Sequence, residues 1–137
     1  MSTLSDFNQQ SKVETDGEHR VQLDLLRALC AAAQEDPPSP KVGEILAQLV
    51  DFSEVHFMSE ELLMRLNSYD HYEDHVNDHI RMMDELRAIA AAHEAGKLAL
   101  VPAAGQTLLE FIQRHIVTRD QQLTDFLRGL RQASPAV

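Results

Sequence analysis

DHYEDHVNDHI, residues 70–80, sets three histidines four apart: His71, His75 and His79. A helix turns 100° per residue, so this spacing stacks side chains along one face. The stretch follows Asn67-Ser68-Tyr69, a break in an apolar run, and leads into Met83, Leu86 and Ile89 at helical spacing. It reads as the start of a helix whose histidines either cover a solvent face or turn inward to hold a metal. The second option requires other buried polar groups at the same level of the fold.

Outward from this stretch the punctuation is helical throughout. Asp16 offers a cap for a first helix with an apolar stripe at Val21, Leu25, Leu26 and Leu29. Asp36-Pro37-Pro38-Ser39-Pro40 ends it, since prolines cannot continue a helix interior. Ser39 then caps a second helix with Pro40 at its first position, and Ile45, Leu46, Leu49, Phe52, Leu62, Leu63 and Leu66 carry its stripe. Asp70 caps a third helix running to about His93, with Gly96 as its stop. Pro102 opens a fourth, marked by Leu108, Leu109, Ile112, Ile116, Leu123, Phe126, Leu127 and Leu130. Helices joined by short links predict an all-α protein, an antiparallel up-down-up-down four-helix bundle. The expected organisation is one domain over 1–137, with the bundle over 16–131 and residues 1–15 as an extended arm lying on it.

Bulk properties exclude several functions. The 137 residues suit one core. With 12 Lys and Arg against 22 Asp and Glu, the net charge of −10 offers no basic footprint for nucleic acid or an anionic membrane surface. Cys30, the single cysteine, lies in the apolar run LLRALCAAA and reads as a small buried hydrophobe. No apolar run reaches membrane-spanning length and no basic-then-apolar leader opens the chain, so the cytoplasm is the expected compartment.

Several inward positions are not apolar. His56 and Glu60 are four apart among Phe52, Phe57 and Leu63. His75 and His79 flank Val76, His115 lies between Ile112 and Ile116, and Asp120 follows five residues later. His19 stands beside Val21 and Leu23. Each alone is an ordinary core residue bonded to a backbone carbonyl. Together, at about 1–3 kcal/mol per unsatisfied group, they would be a heavy burden on a small domain. Five imidazoles and two carboxylates suit a borderline metal such as Fe, Zn, Cu or Mn. Seven donors exceed one tetrahedral zinc, which points to two metals with the carboxylates between them.

DGEH at 16–19, HFMSEELLM at 56–64, HVNDH at 75–79 and HIVTRD at 115–120 give the order H, HxxxE, HxxxH, HxxxxD. In this the chain resembles the hemerythrins, specifically bacterial hemerythrin-like domains, over about residues 12–131. The resemblance implies a non-haem di-iron centre. His75, His79 and His115 would hold one iron and His19 and His56 the other. Glu60 and Asp120 would bridge them with an oxo or hydroxo group. His71 has no counterpart in the family, and His93 reads as a surface residue near a helix end.

The family likeness further implies reversible O2 binding at the iron with fewer histidines, as a carrier, store or sensor module. A sensor would need a signalling output domain or partner protein that this chain does not carry. Competing functions at the same metals are a di-iron enzyme with peroxidase or nitric-oxide reductase activity, and an iron-storage or iron-sensing protein. A metal-free helical bundle that binds a partner is a further alternative. Phe57, Phe111, Ile112 and Ile116 are candidate walls of the O2 pocket. Gln22 departs from the family, which is usually apolar three residues after the first histidine. It either faces the open iron, or a small rotation of the helix sends it to solvent and brings Leu23 inward. Phe111 replaces a family Trp, and Tyr69-Asp70 a frequent Tyr-Pro. On an ideal helix five residues turn about 140° past a full turn, so His115 and Asp120 can share a face only if the helix widens to a π-type turn between them.

Overall fold

The structure, a computed structural model, describes residues 3–133. Five α-helices and one π turn make four rods: α1 (Leu4–Glu35), α2 (Pro40–Leu66), α3 (Tyr72–Glu94), and a fourth built of α4 (Leu100–His115), the π turn (Ile116–Asp120) and α5 (Gln121–Ala133). Neighbours in sequence are neighbours in space, and α1 closes the ring against α4. This is the expected up-down-up-down bundle, and the described residues contain no strand.

The starts and stops follow local chemistry, with corrections at three of them. Ser39 caps α2 by accepting a hydrogen bond from the Lys41 amide at 3.2 Å, with Pro40 in the first helical position, as expected. Gly96, at φ 78°, ends α3 in the left-handed conformation that a glycine adopts without strain. Residues 4–15, expected as an extended arm, are instead the opening turns of α1. Thr3 and Asp6 form a capping box, with paired bonds of 3.1 and 3.2 Å, so that the cap lies at Thr3 and not at Asp16 as expected. Asn8 and Asn67 exchange amide bonds of 2.7 and 2.8 Å, tying this segment to the end of α2. Its inward positions, Lys12 and Thr15, are polar, so apolar periodicity is silent here. Asp16 lies mid-helix and pairs with Lys12 at 2.6 Å. Asp70 does not cap α3, whose first turn follows His71 with no side-chain cap. Leu100 starts α4, and Pro102 sits inside its first turn, where its missing N–H is harmless.

Two apolar cores sit at different levels. The larger gathers Leu26, Leu29, Leu46, Leu49, Phe57, Met82, Leu86, Leu108 and Ile112; the smaller gathers Leu63, Met64, Tyr69, Leu123 and Leu127. Between them runs a layer of buried polar side chains. The fourth rod packs close against α1 at Gly105, where a Cβ would lie 3.2 Å from the Cys30 sulfur. Cys30 is buried as expected, and burial raises its thiol pKa. Gly105→Ala sets a gain in helix propensity of roughly 0.5–1 kcal/mol against this contact. The expected outcome is that Gly105→Ala stabilises a Cys30→Ala background by about that amount and the native background by less. Urea unfolding of the four proteins checks it.

Candidate metal centre

The polar layer is built from all four rods. His19 comes from α1, His56 and Glu60 from α2, His75 and His79 from α3, and His115 and Asp120 from either end of the π turn. All seven are buried. The π turn at Ile116–Asp120 is where the five-residue spacing demanded it. It swings Asp120 back under His115, so that their Oδ1 and Nε2 atoms lie 3.2 Å apart.

Each carboxylate divides its two oxygens between different histidines. Asp120 turns Oδ1 to His75 at 3.0 Å and to His115, and Oδ2 to His19 at 3.0 Å. Glu60 turns Oε2 to His19 at 3.3 Å and Oε1 to His79 at 3.1 Å, with His56 and His75 both at 3.7 Å. Several of these close pairs are not hydrogen bonds: Glu60 Oε1, Asp120 Oδ1 and the Nε2 atoms of His75, His79 and His115 are buried without a partner. Such atoms lie near one another yet do not point at one another. That is the arrangement of donors aimed at a common third atom, and buried orphans of this kind call for an ion. Two overlapping groups of ligand atoms each fit within 4.8 Å: Glu60, His75, His79, His115 and Asp120 in one, His19, His56 and Glu60 in the other. Neutral imidazole and carboxylate donors in this number suit a borderline divalent or trivalent metal. The residues present therefore fit the metal centre that their order in the sequence implies.

Three of the outer nitrogens are also held. His56 Nδ1 lies 3.0 Å from Glu18, His79 Nδ1 lies 2.9 Å from Glu61, and His115 Nδ1 lies 2.9 Å from Asp78. A carboxylate on the outer nitrogen fixes the tautomer so that the inner nitrogen is free to donate, and makes it more basic. Sequence reasoning missed all three. The available signal was adjacency, because each follows or precedes a member of the layer: Glu18 before His19, Glu61 after Glu60, Asp78 before His79.

Other sequence candidates separate. Gln22 is only 1% exposed while Leu23 is half-buried, so the rotation that would send Gln22 to solvent does not occur. Its amide donates to Ser53 at 2.9 Å. Gln22, Phe57 and Ile112 share the wall of a narrow void above the layer. Phe111 does not reach it; its ring lies under Arg81, 4.3 Å from the guanidinium carbon, on an open groove. Ile116 is a partly buried residue against the larger core. His71 is exposed beside Tyr69 and outside the layer. His93, expected at the surface, is half-buried against Gly43.

Without a metal the layer balances its charge with protons. Burial lowers the His19 pKa, but Asp120 and Glu60 outweigh it and raise it to about 9. His75 is raised to about 9 by the same contest. Burial works against both carboxylates. The rings of His19, His75 and His79 nevertheless hold Glu60 well below its ordinary range, and those of His115, His19 and His75 hold Asp120 likewise. A folded-state pKa raised from 6.5 to about 9 gives stability that is complete below 6.5 and is lost as pH rises to about 9. The metal-free protein should therefore melt at falling temperature from pH 6.5 to 9. A metal competes with the same protons, so metal affinity should rise across that window. Thermal melts and chelator competition at matched pH check the two opposite slopes. Asp78→Ala, which frees the outer nitrogen of His115, should weaken metal binding about 10- to 100-fold in the same competition.

Neither the curated proteins nor the solved structures provide a match to the chain. The family model described as the hemerythrin HHE cation-binding domain matches residues 14–127, a span that takes in every member of the buried polar layer. The chain belongs to the hemerythrin HHE cation-binding family.

Proposed function

We propose that the chain binds O2 reversibly at a pair of non-haem irons, as a carrier, store or sensor module. The observation that carries this reading is the division of the buried donors. His75, His79 and His115 gather on one side of Glu60 and Asp120, and His19 and His56 on the other. On this reading the three-histidine group holds one iron and the two-histidine group the other. Glu60 and Asp120, each with its two oxygens turned to different histidines, would serve both irons. The two-histidine group offers one protein donor fewer, so an iron held there would have room for an exogenous ligand.

Bound iron would supply electrons that O2 borrows and returns. The chain's own groups do the rest. Glu18, Glu61 and Asp78 orient three of the imidazoles. Phe57, stacked on His79 with ring centroids 4.2 Å apart, and Ile112 keep bulk water from the layer. Two carboxylates among five imidazoles make a weakly anionic donor set, which favours holding O2 over activating it. The net charge of −10 argues against a nucleic-acid partner, and no helix among the described residues is long and apolar enough to cross a membrane. We place the protein in the cytoplasm, and for a sensor role the output would come from a separate domain or partner.

The test is anaerobic reduction of the iron-loaded chain followed by addition of O2. The expected outcome is a visible charge-transfer band that appears with O2, lasts for minutes and disappears under vacuum, with two irons per chain by elemental analysis. A band that bleaches irreversibly, turnover of added peroxide or nitric oxide, or far fewer than two irons would overturn it.

A further inference from the structure

One polar pair stands in the apolar level next to the metal layer. Gln22 is three residues after His19 on α1, and Ser53 three residues before His56 on α2. The two helices are antiparallel, so both residues step in the same direction, about 4.5 Å toward the larger core. They are 1% and 2% exposed, and the Gln22 amide donates to the Ser53 hydroxyl at 2.9 Å. The pair thus lies one turn beyond the two-histidine half of the layer, where His19 and His56 meet edge to face with ring centroids 4.9 Å apart.

The surroundings of the pair are otherwise apolar. With Leu49, Phe57, Met82 and Ile112 it lines a narrow void that has no room for a water molecule. Phe57 closes this void against His79. Solvent therefore does not satisfy the amide from inside the void. A primary amide carries two N–H donors, and Ser53 takes one. Packing alone gives no reason for an amide and a hydroxyl here, since a leucine and an alanine would fill the same space without losing hydration.

We propose that Gln22 is a specificity-determining residue: its second N–H donates to the outer atom of an exogenous ligand held by the two-histidine metal, and Ser53 positions it. The ligand class selected is a small anion, or a ligand made anionic on binding, that accepts a hydrogen bond at the end remote from the metal. This rests on the di-iron reading above and adds to it which ligands the open side prefers. Ser53 acts only through Gln22, so the two residues form one unit.

Azide is the probe, added to the oxidised iron-loaded protein. In the native chain the azide stretch should shift between H2O and D2O, reporting a hydrogen bond to the bound anion. Gln22→Leu should bind azide about 10- to 100-fold more weakly, mainly through faster release, and should lose the isotope shift. Ser53→Ala should weaken binding several-fold, and the double variant should be no weaker than Gln22→Leu alone. Iron content and helical circular dichroism of each variant separate these effects from failure to fold. The isotope shift in the native chain tests the hydrogen bond even where a variant does not fold. Native protein that takes up two irons and binds azide without an isotope shift, or Gln22→Leu that binds it as tightly, overturns the role of Gln22 and leaves the di-iron reading standing. Native protein that takes up no iron pair, or binds no azide, overturns both.

Discussion

Charge balance inside a desolvated layer is the constraint on which this fold depends. Five imidazoles and two carboxylates lie at one level of a bundle whose adjoining levels are leucine, methionine and phenylalanine. Carboxylates in such a place must be neutralised, because their water has been removed. In the metal-free chain the two carboxylates raise the pKa values of His19, His75 and His79, and those rings in turn hold Glu60 and Asp120 well below the ordinary carboxylate range. A cation at the centre would do the same work and release the ring protons. Proton and metal are thus alternative counter-charges for one site, and its pH response and its metal affinity are one property seen from two sides.

The backbone yields to this layer at one place. On a regular helix His115 and Asp120 would diverge by about 140°. The π turn between them removes that divergence, and Asp120 reaches His75 and His19 as well as His115. A π turn is rare and found mostly at functional sites. Here it has a local cause. The fourth rod must present His115 to the layer from above and Asp120 from below, and one extra residue in the turn achieves this without a break. The apolar stripe then resumes at Leu123 and Leu127 and forms the smaller core.

What the sequence made legible follows from where chemistry and periodicity agree. Proline and glycine punctuation marked two of the three helix links, and apolar spacing marked all four rods, the first only from about Val21 onward. The π turn was readable because two ligand-type residues sat at a spacing no α-helix can place on one face. The start of α1 was not readable as helix, for a definite reason: its inward face is Lys12, Thr15, His19 and Gln22, all polar, so the usual stripe is missing. The capping box at Thr3 and Asp6 was present in the sequence but had no apolar run behind it. Of the residues expected to wall a pocket, only some come together. Phe57, Ile112 and Gln22 share a wall, while Phe111 turns away under Arg81, a rotation that depends on the packing of α3 against the fourth rod. Ser53 was missed because a serine in a helix carries no signal until its partner is known.

The outer hydrogen bonds show why site and bundle cannot be separated. Each helix hands a carboxylate, adjacent to its own member of the layer, to a histidine of the next: Glu18 of α1 to His56 of α2, Glu61 of α2 to His79 of α3, Asp78 of α3 to His115 of α4. The circuit closes from inside, where Asp120 on the fourth rod lies 3.0 Å from His19 on α1. Sliding any helix along its axis therefore disturbs an outer bond and an inner contact together. Three of the five rings are held from behind by groups that need no metal, and this supports the shape of the layer before an ion arrives. The unequal division of histidines, three against two, is then set by helix order and register. The identity of the ion does not enter.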